Sequence, residues 1–431
     1  MKSTFCDGIT RRDFVRLGVM GGTGLTLANY LQLAAANETN KSTADSCLFI
    51  NLGGGPAHQD TLDMKPEGPE ETRGEFKPID SNLAGLQTCE HLPKLATVAD
   101  RFALIRGIHH TAGAHPQGQS WISTGNRPGP ALIYPSLGSV VSKELPGYPD
   151  LPPYVAVPAT EWNAGYMGDS YAPLKTSAVP KPGQPFEVRG VTLSEGLTLE
   201  KVNRRQELLK KIDNTFASLE KNSQLLEALN KFGLKAHEMI TSKRARAAFD
   251  VSQEPASIQK LFAADELSQS LLLSMRLIEY GVKFVTVTNQ GWDTHFDNFA
   301  NLKNKLLPSF DAGIHALITA MTEKGLLDRT LVVCMGEFGR TPKINVHTGR
   351  DHYPRVNWSL FAGGGVKTSQ IIGGTDAGAT SPDDATDITP DDIAASIYRS
   401  LGIDHHKEYL TTTGRPAMLV PEGRIINDLF A

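Results

Sequence analysis

Short apolar runs recur along this chain, and most of them stop abruptly at glycines or at charged and imidazole side chains. Cys47–Leu52, Arg101–Arg106, Tyr154–Val157, Val282–Thr288, Thr330–Met335 and Trp358–Ala362 each predict a strand. Cys47–Leu52 is apolar enough for a strand buried on both faces, and Val282–Thr288 is rich in β-branched residues. Between them the period lengthens to that of helices. Leu208, Leu209, Ile212, Phe216 and Leu219 mark a helical insertion spanning 193–262. A helix over Asp265–Tyr280 ends at Gly281, and another runs from Phe299 to Lys324. Thr389-Pro390-Asp391-Asp392 opens a last helix that runs to Leu401, with a capping Thr, Pro at the first position and acids in the first turn. This alternation predicts an α/β fold, a mostly parallel sheet sandwiched by helices, as a single domain over residues 45–431.

The polar residues that end the strands carry the candidate chemistry. In an open, mostly parallel sheet the carboxyl ends of the strands gather at one edge, where ligands bind. After Leu52 come three glycines and then His58, Asp60 and Asp63; after Arg106 come His109, His110 and His115. Asp293 and His295 follow the Val282–Thr288 run, and Glu337, Arg340, Arg350, Asp351 and His352 follow Thr330–Met335. Carboxylates and imidazoles are the ordinary ligands of divalent metals. The candidate ligands are therefore His58, Asp60, Asp293, His295, Glu337 and His352. His115 or His109 is the candidate general acid or base, and Arg340 the candidate holder of developing negative charge. Each has a structural alternative: Asp60 or Asp293 could cap a turn or helix, and Glu337 could pair with an arginine. The glycines match neither dinucleotide nor nucleotide-phosphate spacing.

Composition changes this picture little. The chain has 431 residues, 21% of them charged, and a net charge of −4, which favours neither nucleic acid nor an anionic membrane. Four scattered cysteines give neither a disulfide framework nor a zinc ribbon. The first forty residues change it more. Arg11-Arg12 precedes a mildly apolar, glycine-containing run and then Ala34-Ala35-Ala36, the pattern of a twin-arginine export signal over residues 1–36. The expectation is a periplasmic or secreted protein with no stable membrane span.

Taken together, the twin-arginine start, Gly53-Gly54-Gly55-Pro56-Ala57-His58-Gln59-Asp60, Trp292-Asp293-Thr294-His295, Gly336-Glu337-Phe338-Gly339-Arg340 and Gly349-Arg350-Asp351-His352 resemble an exported bacterial family, domain of unknown function 1501. That family is similar to a branch of the alkaline phosphatase and sulfatase superfamily. The resemblance implies an alkaline phosphatase-like fold holding a divalent metal (zinc, manganese or calcium). It also implies hydrolysis of a sulfate or phosphate ester of a small molecule or carbohydrate. The superfamily's nucleophile slot falls near His115, where no Ser, Thr or Cys stands, and Glu337-Phe338 replaces an Asp-His pair. Water is then the expected attacking group. The alternative from another class is a non-catalytic exported binding or assembly protein that keeps the fold.

Overall fold

The computed structural model describes residues 42–191, 200–201, 204, 207 and 237–430. The expected export signal at 1–36, and all but four residues of the expected insertion before His237, lie outside the described residues.

Eight strands form the central sheet: β1 (Ser46–Gly53), β2 (Ala103–Ile108), β3 (Tyr154–Val157), β4 (Leu174–Lys175), β5 (Phe284–Gln290), β6 (Thr330–Met335), β7 (Asn357–Ala362) and β8 (Gln370–Ile372). Their spatial order is β8-β2-β7-β6-β1-β5-β3-β4. β1 lies between β5 and β6 and is parallel to both. β7 is antiparallel to β2 and to β6, so β2 shares the direction of β1, β5 and β6. The mostly parallel sheet is as expected. The short edge strands β4 and β8 and the reversal at β7 have no counterpart in the apolar pattern.

Alternate residues of the sheet feed two separate cores, as a period of two requires. Leu48, Ile50 and Leu52 of β1 face one side with Val332 and Cys334 of β6. Helices α3 (Glu266–Glu279) and α4 (Leu307–Glu323) cover that side through residues such as Leu271, Met275, Phe310 and Leu317. Cys47, Phe49, Leu331 and Val333 face the other. There α1 (His115–Thr124), α2 (Leu137–Glu144) and α5 (Pro390–Ser400) pack through Ile122, Val140 and Ile397. Thr389 and Asp392 form the reciprocal capping box that starts α5. The helix expected over 299–324 is interrupted: a π turn over Leu302–Leu306 precedes α4. Pro308 supplies the cause, since its ring would clash with the carbonyl one turn back and it has no N–H to donate.

Candidate metal centre

The loops that leave β2, β5 and β6 meet at one edge of the sheet. Ligand atoms of His115, Asp293 and His352 lie within 4.8 Å of one another there. His115 opens α1 after β2, Asp293 sits three residues past β5, and His352 pairs with Arg340 in a two-residue ribbon beyond β6. His295 joins from the β5 loop: its Nε2 is 3.1 Å from Asp293 Oδ1 and 3.0 Å from His352 Nε2.

Each imidazole is oriented from behind. His115 Nδ1 is 2.6 Å from Glu337 Oε1, His295 Nδ1 is 2.7 Å from Asp351 Oδ1, and His352 Nδ1 is 2.8 Å from the Gly113 carbonyl. Carboxylates and carbonyls accept, so each Nδ1 carries a proton, and in its neutral form each imidazole presents an Nε2 lone pair to the centre. In that form lone pairs and a carboxylate face one another at about 3 Å, an arrangement that a proton on Nε2 or a bound cation relieves. His115 Nε2 is buried and has no hydrogen-bond partner among the described residues, although Asp293 Oδ2 is 3.2 Å away. An outer carboxylate or carbonyl on Nδ1 is the usual support of a metal-bound histidine. Phe338, fully buried, lies tilted against His352 and His115 at 4.7 and 5.2 Å between ring centres.

Asp293 is anchored by Arg340, whose Nη2 donates to its Oδ1 at 2.6 Å. Burial alone would raise this carboxyl, but the bond and charge of Arg340 outweigh it and hold it at about 2. The Glu337 hydrogen bond acts oppositely on His115 and raises its pKa despite partial burial. Gly54 makes the corner possible. Its φ is +114°, and a Cβ there would come within 2.3 Å of the Asp293 nitrogen. Its N–H donates to Glu337 at 2.9 and 3.2 Å, fixing the carboxylate that orients His115.

The expected site residues do not all meet at this point. His58 is fully buried, its Nε2 donating to the Ala379 carbonyl at 3.0 Å while its Nδ1 faces the Arg340 N–H at 3.4 Å. Burial pushes it down to about 4, so it is a neutral structural histidine with both nitrogens spent. Asp60 is held apart from the cluster, where Arg350 grips both its oxygens at 2.7 and 2.8 Å and Asn298 donates to it. Glu337 stands one layer behind the centre. His109 faces Asp387 at 3.5 Å, away from the cluster. Arg340 is fully buried and donates to the carbonyls of Gly54, Gly55 and Arg350 as well as to Asp293, so its donors are engaged within the protein. His115, expected to move protons, stands instead among the converging groups. Asp351 and the Gly113 carbonyl are the orienting groups that residue type alone does not reveal.

Glu337→Gln keeps the volume and an acceptor for Gly54 but weakens the hold on the His115 tautomer. It is expected to lower metal affinity about 10- to 100-fold, as read by competition with a chromogenic chelator.

A cleft of about 690 Å³ opens beside His115 and Asp293 over the ends of β1, β5, β3 and β4. A larger cavity of about 820 Å³ between Phe76, Phe299 and Lys303 contains none of the centre's residues.

A family profile described as "Protein of unknown function (DUF1501)" matches residues 44–430. No curated protein matches the sequence. In fold the chain is similar to the lipoteichoic acid synthase LtaP from Listeria monocytogenes (9% identity, 90% of this chain and 80% of that chain, TM-score 0.34). It is also similar to a protein in the alkaline phosphatase superfamily from Vibrio parahaemolyticus (8%, 85% and 68%, TM-score 0.36). A third similar structure is a sulfatase from Pseudoalteromonas sp. (12%, 86% and 70%, TM-score 0.35).

Proposed function

This chain belongs to the family described as protein of unknown function (DUF1501), and from the chemistry of its strand-end centre we propose a metal-dependent hydrolase of sulfate or phosphate esters. The observation that carries the proposal is the convergence of three imidazole Nε2 atoms on the Asp293 carboxylate, each Nδ1 held by an acceptor.

The residues present fit a divalent ion. His115, Asp293 and His352 would hold it, with His295 completing the set. Three nitrogens and a carboxylate suit zinc or manganese better than calcium, which takes oxygen ligands. Such an ion supplies positive charge that polarises an ester oxygen and favours ionisation of water. Arg340 keeps Asp293 anionic and aimed at the centre, and Glu337, Asp351 and Gly113 fix the imidazole faces. α1 starts at His115, so the positive end of its dipole faces the same point and favours an anionic ester there. With His115 where the resembled superfamily has its nucleophile, attack falls to water. Export by the twin-arginine route, which carries folded proteins, belongs to the same proposal and rests on Arg11-Arg12 and the run that follows. No helix of the described residues is long and apolar enough to cross a membrane.

Metal analysis followed by aryl sulfate and aryl phosphate assays tests the reading. About one ion per chain is expected, with turnover lost on chelation and restored by zinc or manganese. Protein that takes up no metal and turns over neither ester, even with zinc, manganese or calcium added, would instead be a binding or assembly protein.

A further inference from the structure

The cleft beside the centre has a composition that the ester chemistry does not call for. Its lining includes three amides (Asn51, Gln119 and Gln290), two hydroxyls (Thr160 and Thr288) and the indole of Trp162. The amides are arranged. Asn51 on β1 donates to Gln119 at 2.6 Å, and Gln119 stands one helical turn from His115 on α1, on the same face. Gln290 lies across the end of β1, where a Cβ on Gly53 would come within 2.4 Å of its Oε1. The bare Gly53 is what lets that amide reach over the strand toward the centre. Thr288 Oγ1 is buried with no hydrogen-bond partner among the described residues. The charged rim, Lys175 and Glu161, has one side chain of each sign.

Amide side chains both donate and accept, and so do the hydroxyls of a sugar ring, while the ring's C–H faces suit an indole. A volume of about 690 Å³ fits a ligand of one to a few rings. Building on the hydrolase reading above, we propose that the alcohol part of the ester is an uncharged polyhydroxylated ring of a carbohydrate. Gln119, steadied by Asn51, and Gln290 bind its hydroxyls, and Trp162 packs on its apolar face. These are specificity residues: they place the ester bond against His115 and Asp293 and take no part in breaking it.

The test is binding of the zinc-loaded full chain to a printed array of neutral, sulfated and phosphorylated oligosaccharides, read without turnover. Retention of at least one glycan is expected, weakened about tenfold or more by Trp162→Ala and by Gln119→Leu, with zinc content equal to wild type in both variants. An array on which wild type retains nothing overturns the proposal, and so does retention that neither substitution weakens. The two readings fail separately. A protein that hydrolyses aryl esters and retains no glycan loses only the carbohydrate assignment. One that retains glycans through Trp162 and hydrolyses no ester loses only the hydrolase.

Discussion

Asp293→Asn is expected to cut zinc affinity by more than about 100-fold, beyond the loss seen for groups that merely support a ligand, and to remove ester turnover with it. Asparagine keeps the volume of the side chain and an oxygen for Arg340 to bond, so packing around the corner is preserved. What goes is the negative charge, which Arg340 holds in place down to about pH 2 in the native protein. Without it the centre has three neutral imidazoles and a buried guanidinium 2.6 Å from the changed group, a field that repels a cation. Calorimetric titration with zinc, with circular dichroism to establish that the fold is kept, separates this from unfolding. A variant that binds zinc as tightly as wild type would remove Asp293 from the ligand set.

Asp60→Ala should act on the fold first. It strands the Arg350 guanidinium, fully buried and bonded in bidentate fashion to Asp60 alone among the carboxylates of the described residues. Removing one partner of a buried pair costs about 3–5 kcal/mol, a large part of the 5–15 kcal/mol by which a folded protein is typically stable. Urea unfolding should show the midpoint fall by that free energy divided by the m-value. Asp60→Asn, which can still accept from Arg350, should lose less. If Asp60→Ala instead left unfolding unchanged and removed the metal, Asp60 would be a ligand after all. Arg350 also bonds the carbonyls of Thr72, Thr341 and Pro342, so the pair ties the segment after β1 to the one that delivers His352.

The sheet was legible because burial on both faces leaves a mark in composition. Cys47–Leu52 and Thr330–Met335 are apolar but for Asn51 and Thr330, and every residue of β1 and β6 is buried. Direction left no such mark: Trp358–Ala362 reads the same in a parallel or an antiparallel strand, so the reversal at β7 was invisible. The site shows the same limit. His58-x-Asp60 and Asp293-x-His295 are equivalent as motifs, ligand types two residues apart after a strand. They diverge through partners far away in sequence, since Arg350 claims Asp60 from 290 positions off and the Ala379 carbonyl takes His58. Glu337 likewise had the right chemistry, but the Gly54 N–H holds its carboxylate one layer behind. Residue type set the list of candidates, and long-range pairing decided which of them face the centre.

The place of β1 in the sheet bears on how the chain is made. Among the described strands it is the first to be synthesised, yet its neighbours are β5 and β6, with Ser46 hydrogen-bonded to Thr330 across 284 positions. An apolar segment, SCLFINLG, is therefore synthesised early and paired late. Strand pairing between such distant segments forms slowly, and an unpaired apolar strand invites association with other chains in the interval. Until β5 is synthesised the central strand has neither of its neighbours to join, so a nascent chain truncated before Phe284 should bind a holding chaperone where the complete chain does not.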